Sequence, residues 1–451
     1  MKSETVDTVY KATFRCIRGC PGKHELTEIV YNCRKCGGLL EVVHDIAALK
    51  TKLAGEWRRI FDERYKSHEW PFGSCVWGKK ELVCPGIDDN NIVSHSEGGS
   101  DLFWAELLGH KWGLDNLWVK QLGNSHSGSF KDIGMTVLVS MVKHMRSKGK
   151  NIPAVACAST GDTSAALASY CASAGIPAIV FLPQDQISRT QLMQPLAHGA
   201  ITIAINSDFD GCMKIVREIT ARRNIYLANS MNSLRIEGQK TIAMELLQQF
   251  GWKVPDLVVV PGGNLGNVTS IGKGLLLMKQ LGLIDRLPRL CCAQAQAANP
   301  LYRSYIAGYS GFTPEPARPT LATAIRIGDP VSYPKAVEVL RQMNGIVEQA
   351  TEQELAETAA EADRTGLYTC PHTAVALTAV KKLKDRGEIK SGATVVVIST
   401  ATGLKFTEFK TAYLDPNGSI NVGGLATPIH ELPAETDTVE NFVLHQLDKA
   451  G

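Results

Sequence analysis

From Leu117 onward, the sequence alternates short apolar runs with longer stretches of helical character. The apolar runs are PAVACAS, PAIVFLP, ITIAI, IYLANS, DLVVVPGG and, near the end, TVVVIST. Short apolar strands that alternate with helices are typical of parallel sheets that are covered on both faces. In such sheets, ligands bind beyond the carboxyl ends of the strands. We therefore predict an α/β fold whose functional residues lie in the loops that follow strands.

The chain has 451 residues, which is too long for one ordinary hydrophobic core. We expect an irregular N-terminal domain over residues 1–115, a smaller α/β domain over 116–245 and a larger α/β domain over 246–451. The tail beyond Lys410 is rich in turn residues, and its sequence predicts little about its structure.

Composition excludes several classes of protein. Hydrophobic residues make up 44% of the chain, charged residues 21%, and the net charge is only +3, so no overall basic footprint predicts a nucleic-acid partner. No apolar run reaches membrane-spanning length, and the first residues contain no apolar signal-peptide region. We therefore expect a cytoplasmic location and neither a nucleic-acid nor a membrane partner.

Lys131 lies in the segment NSHSGSFKD, between an apolar run and an amphipathic helical stretch. An amine that forms a Schiff base must be neutral near pH 7, and burial or a nearby cation lowers a lysine pKa into that range. The N-terminus of a helix supplies positive potential at such a position. The alternative is a surface lysine beside a helix cap.

The segment DLVVVPGGNLGN predicts a strand, a glycine-rich turn and the start of a helix. Backbone N–H groups in such a turn form an anion-binding nest. The turn lacks the features of a P-loop and of a dinucleotide fingerprint, so it suits one terminal phosphate. The alternative is a plain strand–helix turn. The candidate phosphate ligands are Gly263, Asn264, Leu265, Gly266 and Asn267.

Three further polar loops follow apolar runs. Hydroxyl and backbone amide groups in the first loop suit carboxylate or phosphate, the arginine of the second suits phosphate, and a threonine hydroxyl in the third can face a pyridine nitrogen. Simple helix capping is the alternative for the first and third loops, and a surface ion pair with Glu237 is the alternative for Arg235. The candidates are Ser159, Thr160, Asp162 and Thr163 in the first loop, Asn229, Ser230 and Arg235 in the second, and Thr400 and Lys405 in the third.

Several of these segments together resemble the threonine synthase family, most closely its plant-type branch, over residues 28 to about 407. The matching segments are SGSFKD, CASTGDTSAA, YCASAGIP, FDGCMK, NSLRIEGQKT, PGGNLGN, IGDPVS, CPHT and GLKF. The resemblance implies a fold-type II enzyme dependent on pyridoxal phosphate (PLP), similar to tryptophan synthase β, with two parallel-sheet domains and an additional N-terminal domain.

The resemblance also implies a role for each candidate. Lys131 would form the Schiff base and shuttle protons, residues 263–267 would hold the cofactor phosphate, and Thr400 would face the pyridine nitrogen. Asp162 would lie near the ring hydroxyl. The substrate pocket would comprise Ser159, Thr160, Thr163, Asn229, Ser230, Arg235 and Lys405. The implied reaction converts O-phospho-L-homoserine and water into L-threonine and phosphate.

One position departs from the family pattern. The family commonly has histidine where this chain has Thr402, and threonine cannot carry charge near a substrate phosphate. A related replacement enzyme that acts on another phosphorylated amino acid, such as cysteate synthase with phosphoserine and sulfite, is therefore the alternative. A non-enzymatic adaptor or nucleic-acid binder is a third class, which visible absorbance from bound PLP would exclude.

A cluster of four cysteines, spaced as Cys-x3-Cys and Cys-x2-Cys, lies near the N-terminus. This spacing predicts a zinc-ribbon-like segment with a structural zinc, although four free thiols in a degenerate ribbon are the alternative. The candidate metal ligands are Cys16, Cys20, Cys33 and Cys36.

The family resemblance further implies a homodimer and S-adenosylmethionine as an effector.

Overall fold

The computed structural model describes residues 9–159, 161–184, 189–207, 209–415 and 417–450. The strands are β1 (Ala12–Cys16), β2 (His24–Glu25), β3 (Leu40–His44), β4 (Leu102–Trp104), β5 (Leu117–Gln121), β6 (Val155–Ala158), β7 (Ala178–Pro183), β8 (Ile201–Ile205), β9 (Tyr226–Leu227), β10 (Leu257–Pro261), β11 (Arg289–Ala295), β12 (Ile346–Ala350) and β13 (Val395–Ser399).

The α-helices are α1 (Ile46–Leu49), α2 (Ala54–Arg64), α3 (Glu106–Trp112), α4 (Lys131–Ser147), α5 (Asp162–Ala174), α6 (Arg189–Ala197), α7 (Phe209–Arg223), α8 (Ser233–Gln239), α9 (Thr241–Gln249), α10 (Gly266–Gln280), α11 (Pro300–Ile306), α12 (Tyr333–Gln342), α13 (Glu352–Asp363), α14 (Pro371–Asp385), α15 (Thr407–Leu414) and α16 (Thr436–Ala450).

The larger sheet has six strands in the order β12-β11-β10-β13-β5-β4. Its strands pair in parallel except at the edge, where β4 runs antiparallel to β5. Strands β10 and β13 are buried along their whole length, as expected where helices cover both faces of a parallel sheet.

The smaller sheet has four parallel strands in the order β8-β7-β6-β9. Helices α5 and α7 pack on it, and α4 packs against both α5 and α8. Helix α5 ends at Gly175, whose φ of 64° gives the left-handed C-cap that glycine favours. The runs expected to form its strands therefore do so, and the predicted two-sheet α/β fold is observed.

The N-terminal region is more regular than its sequence predicts. Strand β1 pairs antiparallel with β2 and β3, and Cys16 lies opposite Leu40 in this three-stranded sheet. Helix α2 follows, with Trp57 and Phe61 buried.

Sheet membership differs from the predicted division at residue 116. The predicted smaller domain, 116–245, includes β5, yet this strand pairs with β13 in the larger sheet. The reason is non-local: β5 contacts a strand almost 280 residues away in sequence, which local pattern does not specify. Strands β11 and β12 were not among the predicted runs either.

No helix within the described part of the chain is both long and apolar enough to cross a membrane.

Candidate active site

Three adjacent parallel strands of the larger sheet deliver the main candidate loops to one edge. Strand β10 leads into the glycine turn, β13 leads into Thr400, and β5 leads through residues 122–130 to Lys131. Because parallel strands have their carboxyl ends at the same edge, loops distant in sequence meet there.

Backbone hydrogen bonds join the lysine loop directly to the Thr400 loop. The N–H of Phe130 donates to the carbonyl of Thr400 at 2.9 Å, and the N–H of Thr402 donates to the carbonyl of Gly128 at 3.1 Å. Gly128 has a φ of 82°, a backbone conformation that favours glycine. The pairing fixes the start of α4 relative to Thr400.

Lys131 is the first residue of α4 and is partly buried. Burial, reinforced by the positive charge of Arg235, lowers its pKa to about 7, although Asp162 opposes the shift. Its Nζ lies 4.1 Å from the centroid of the Phe130 ring and makes no hydrogen bond or ion pair with any residue that the structure describes. A neutral amine without a competing partner is what Schiff-base chemistry requires.

The glycine turn, residues 263–267, is the candidate anion cradle. The backbone N–H groups of residues 263–267 donate to no acceptor within the described ranges, and they precede the first turn of α10. Leu265 adopts a φ of 64°, which turns the chain into the helix. A Cβ on Gly263 would lie 2.8 Å from Cα of Ile325, so the turn tolerates no side chain there. This donor set fits the phosphate of PLP.

Thr400 is buried next to a cysteine that the sequence analysis did not single out. Its Oγ1 lies 4.0 Å from Sγ of Cys370, the N-cap of α14, and that sulfur lies 3.1 Å from Oγ1 of Thr373. Burial alone would raise the pKa of Cys370, but interactions with His372 and Thr373 lower it to about 7. The matching CPHT segment was the available signal for this residue.

Asp162 and Lys405 form an ion pair, with 3.0 Å between Oδ1 and Nζ. The same ammonium donates to the carbonyl of Ser127 at 2.9 Å and to Oε1 of Gln194 at 3.1 Å. Lys405 therefore links the lysine loop with α5 and α6.

Arg235 is buried on α8, so it is not part of a surface ion pair with Glu237, which was the alternative interpretation. Its guanidinium donates to the carbonyl of Ala228 at 3.0 Å and, weakly, to Oγ1 of Thr163 at 3.4 Å. Its Nε is buried and has no partner among the described residues. Glu237 instead pairs with His44, Lys240 and Lys273. A buried guanidinium with an unused donor suits an anionic ligand.

The remaining pocket candidates follow the adjacent strands β6 and β9 of the smaller sheet. The amide of Asn229 bonds both the N–H and the carbonyl of Ala158, each at 3.0 Å, so it fixes the start of the neighbouring loop. Ser159 accepts from the N–H of Gly161, and Ser230 is partly buried. Thr160 lies outside the described residues.

Thr402 is the N-cap of the 3-10 turn Gly403–Lys405, where its hydroxyl accepts from the N–H of Leu404. The threonine that replaces the usual histidine therefore caps this turn.

The four predicted metal ligands lie together at some distance in sequence from these loops. The sulfur atoms of Cys16, Cys20, Cys33 and Cys36 all lie within 4.8 Å of one another.

The chain is similar to pyridoxal-phosphate-dependent enzymes and to several threonine synthases. Residues 93–401 match the family model described as pyridoxal-phosphate dependent enzyme. The chain is 55% identical to threonine synthase 2, chloroplastic, of Arabidopsis thaliana, over 94% of this chain and 82% of that protein. It is 38% identical to the threonine synthase of Methanocaldococcus jannaschii, over 87% of this chain and 92% of that protein.

Among solved structures, the threonine synthase of Escherichia coli has a similar fold. It superposes with a TM-score of 0.67 and 20% identity, covering 96% of this chain and 100% of that one. The superposition agrees with the expected fold class, and the family match and the Arabidopsis relative confirm pyridoxal phosphate as the expected cofactor. The chain belongs to the threonine synthase family of pyridoxal-phosphate-dependent enzymes.

Proposed function

We propose that this protein converts O-phospho-L-homoserine and water into L-threonine and phosphate. The observation that carries the proposal is one low-pKa amine together with two separate donor groups that suit anions. The cradle at residues 263–267 accounts for the cofactor phosphate, and buried Arg235 remains for a phosphate on the substrate. An amino acid that bears its own phosphate satisfies both sites.

PLP, when bound, supplies the electron sink that allows protons to leave carbon atoms near the substrate amine. The residues that would hold it are Lys131, residues 263–267 and Thr400, with Asp162 nearby. Thr400 offers a hydroxyl and no charge to the ring nitrogen. A neutral partner limits carbanion stabilisation and therefore limits side reactions.

Lys131 is the proton carrier of the proposed reaction. With a pKa of about 7, its amine takes the Cα proton and then helps to move a Cβ proton. Phosphate leaves from Cγ, and Lys131 delivers the proton taken from Cβ to Cγ. The hydroxyl of water then adds at Cβ, and the proton taken from Cα returns to Cα. Arg235 holds the phosphate in the substrate and after its release, where the anion serves as a base for the attacking water.

The test is an assay of phosphate release from O-phospho-L-homoserine, with the product identified as threonine by chromatography. Phosphoserine plus sulfite is the comparison, because Thr402 favours such a reaction as the second candidate. Threonine formation from phosphohomoserine supports the proposal. Turnover of phosphoserine with sulfite, without threonine formation from phosphohomoserine, would overturn it.

The resemblance to the family supports two further parts of the proposal, a homodimer and activation by S-adenosylmethionine. Sedimentation velocity tests the first, and a monomer at assay concentration would contradict it. Titrating S-adenosylmethionine into the assay tests the second, and a constant rate would contradict it. The cytoplasmic location remains a prediction from the sequence; the Arabidopsis relative is named as chloroplastic.

A further inference from the structure

The four N-terminal sulfur atoms have the separation of a tetrahedral metal site. Four thiolates about 2.3 Å from Zn²⁺ lie about 3.8 Å from one another. In this structure Cys16 Sγ and Cys36 Sγ are 3.5 Å apart, and no pair among the four exceeds 4.8 Å. The sulfur–sulfur distance of about 3.8 Å expected around tetrahedral zinc lies within this range.

Backbone donors point at two of these sulfur atoms. The N–H of Arg18 donates to Sγ of Cys16, and the N–H of Gly38 donates to Sγ of Cys36, each at 3.4 Å. Each donor lies two residues after its cysteine. Such donors orient a thiolate and stabilise its negative charge, so the segment is prearranged for a cation.

The cysteine segment leads directly into β3, and helices α8, α10 and α12 bind this strand. The carbonyl of Leu40 accepts from the hydroxyl of Ser233 on α8 and, at 2.6 Å, from Lys335 on α12. The carbonyl of Val42 accepts from Lys273 on α10 at 2.5 Å. His44 Nε2 lies 2.7 Å from Oε2 of Glu237 on α8.

Two of these helices carry the anion sites. Helix α10 has the phosphate cradle at its N-terminus, and α8 carries Arg235 between Ser233 and Glu237. Because α8 has only seven residues, tertiary contacts and not its own hydrogen bonds must determine its orientation. Ser233 and Glu237, one turn apart, both bind β3, whereas Arg235 contacts Thr163.

We propose that Cys16, Cys20, Cys33 and Cys36 bind one Zn²⁺, and that this metal positions Arg235 through strand β3 and helix α8. The metal fixes β1 against β3, since Cys16 pairs with Leu40 in the antiparallel register. Strand β3 then fixes α8 through Ser233 and Glu237. The assignment of Arg235 as a phosphate ligand rests on the proposed function, whereas the metal site does not.

Metal analysis of the purified, PLP-loaded full chain tests the metal site. About one zinc per chain is expected, and much less in Cys20→Ser, because a serine hydroxyl replaces one of the four thiolates. Cys171→Ala, which removes a buried thiol on α5 outside the cluster, is the matched control and should retain zinc. A protein purified with zinc present that contains none, or contains iron instead, would overturn the assignment.

Phosphate affinity tests the coupling to Arg235. Zinc is removed with a chelator, and binding of inorganic phosphate to the PLP-loaded enzyme is measured by calorimetry. The dissociation constant should rise about tenfold and recover when zinc is restored, because a small displacement of a positioning group costs this much or more. Unchanged affinity in a stripped protein that remains folded by circular dichroism would overturn the coupling.

If removal of zinc unfolds the protein, the Ser233→Ala variant tests the coupling between β3 and Arg235 instead. This variant should retain zinc and circular dichroism while phosphate affinity falls and KM for phosphohomoserine rises more than kcat changes. Ser310→Ala, at an exposed hydroxyl that bonds its own local turn, is the control. Equal phosphate affinity in both variants would contradict the coupling. Zinc content and phosphate affinity are measured without threonine formation. Failure of the proposed reaction can therefore be distinguished from failure of the metal coupling.

Discussion

At the scale of single residues, the chemistry depends on how Lys131 is surrounded. The side chain is partly buried at the start of α4, beside the Phe130 ring and near the buried charge of Arg235. Burial is the larger cause of its lowered pKa, and the arginine adds to it. Under the proposed function one cation would serve two purposes, because Arg235 lowers the lysine pKa and its unused Nε–H would be available to a phosphate.

Replacing Lys131 by alanine should abolish the visible absorbance of covalently attached PLP and reduce turnover to background. The reason is that Lys131 supplies the amine for the Schiff base, and no other lysine among the described residues occupies its position. Absorbance spectra and the phosphohomoserine assay measure both effects. Lys143→Ala, on the same helix, is the control, and retained turnover in Lys131→Ala would contradict the assignment.

The rate of PLP attachment should rise with pH to a plateau above about 7, because only the neutral amine of Lys131 attacks the aldehyde. Arg235→Met removes a charge that lowers this pKa, so the midpoint of the profile should move to higher pH. Stopped-flow absorbance across pH measures the midpoint. Arg222→Met, at an exposed arginine, should leave it in place, and a shift to lower pH in Arg235→Met would show the electrostatic argument to be wrong.

At the scale of elements, the site is an arrangement of strand ends. Adjacent strands β10, β13 and β5 present the phosphate cradle, Thr400 and Lys131, while adjacent β6 and β9 present the pocket loops of the smaller sheet. The ion pair of Asp162 with Lys405 links two of the loops, and the space beside Gly263 is too small for a Cβ because of Ile325. Rigid elements of this kind position a site more accurately than free loops do.

Gly263→Ala should weaken PLP binding, because the added methyl group would lie 2.8 Å from Cα of Ile325 and the turn must move. Overpacking of this kind costs about 1–3 kcal/mol. Fluorescence titration of the apoenzyme with PLP measures the affinity. Gly55→Ala, on α2 with nothing within 4 Å of the added carbon, is the control, and equal PLP affinity in both variants would contradict the cradle geometry.

At the scale of the whole molecule, the candidate site residues follow strands of both sheets, and the N-terminal sheet binds helices that carry some of them. Lys131 follows a strand of the larger sheet, yet its helix packs on α5 and α8 beside the smaller sheet. Strand β3 of the N-terminal sheet binds α8, α10 and α12. The candidate site residues therefore belong to separate structural units.

Binding of PLP should raise the melting temperature of the whole chain, since only the folded arrangement brings the cradle and Lys131 together. Free ligand at about 100 times its dissociation constant adds about 2.7 kcal/mol to the free energy of unfolding. Differential scanning calorimetry of the apo and PLP-loaded protein measures the shift. Lys131→Ala should show a smaller shift, and equal melting temperatures for the apo and loaded forms would contradict the prediction.

The sequence by itself determined the local features. Apolar runs predicted all four strands of the smaller sheet and strands β10 and β13 of the larger one. The glycine turn predicted an anion cradle, and the cysteine spacing predicted four sulfur atoms in one place. Such features depend on residues close in sequence, where periodicity, turn chemistry and capping act. The matching segments also identified the family and cofactor that the comparisons confirmed.

Only the tertiary structure decided which of these features meet. It placed β5 in the larger sheet, put Cys370 beside Thr400, assigned Thr402 to a turn, and bound β3 to the helix of Arg235. The charge of Arg235 acts on Lys131 across more than 100 residues of sequence. Contacts of this range depend on which strands pair and which helices pack, and no local pattern specifies those choices.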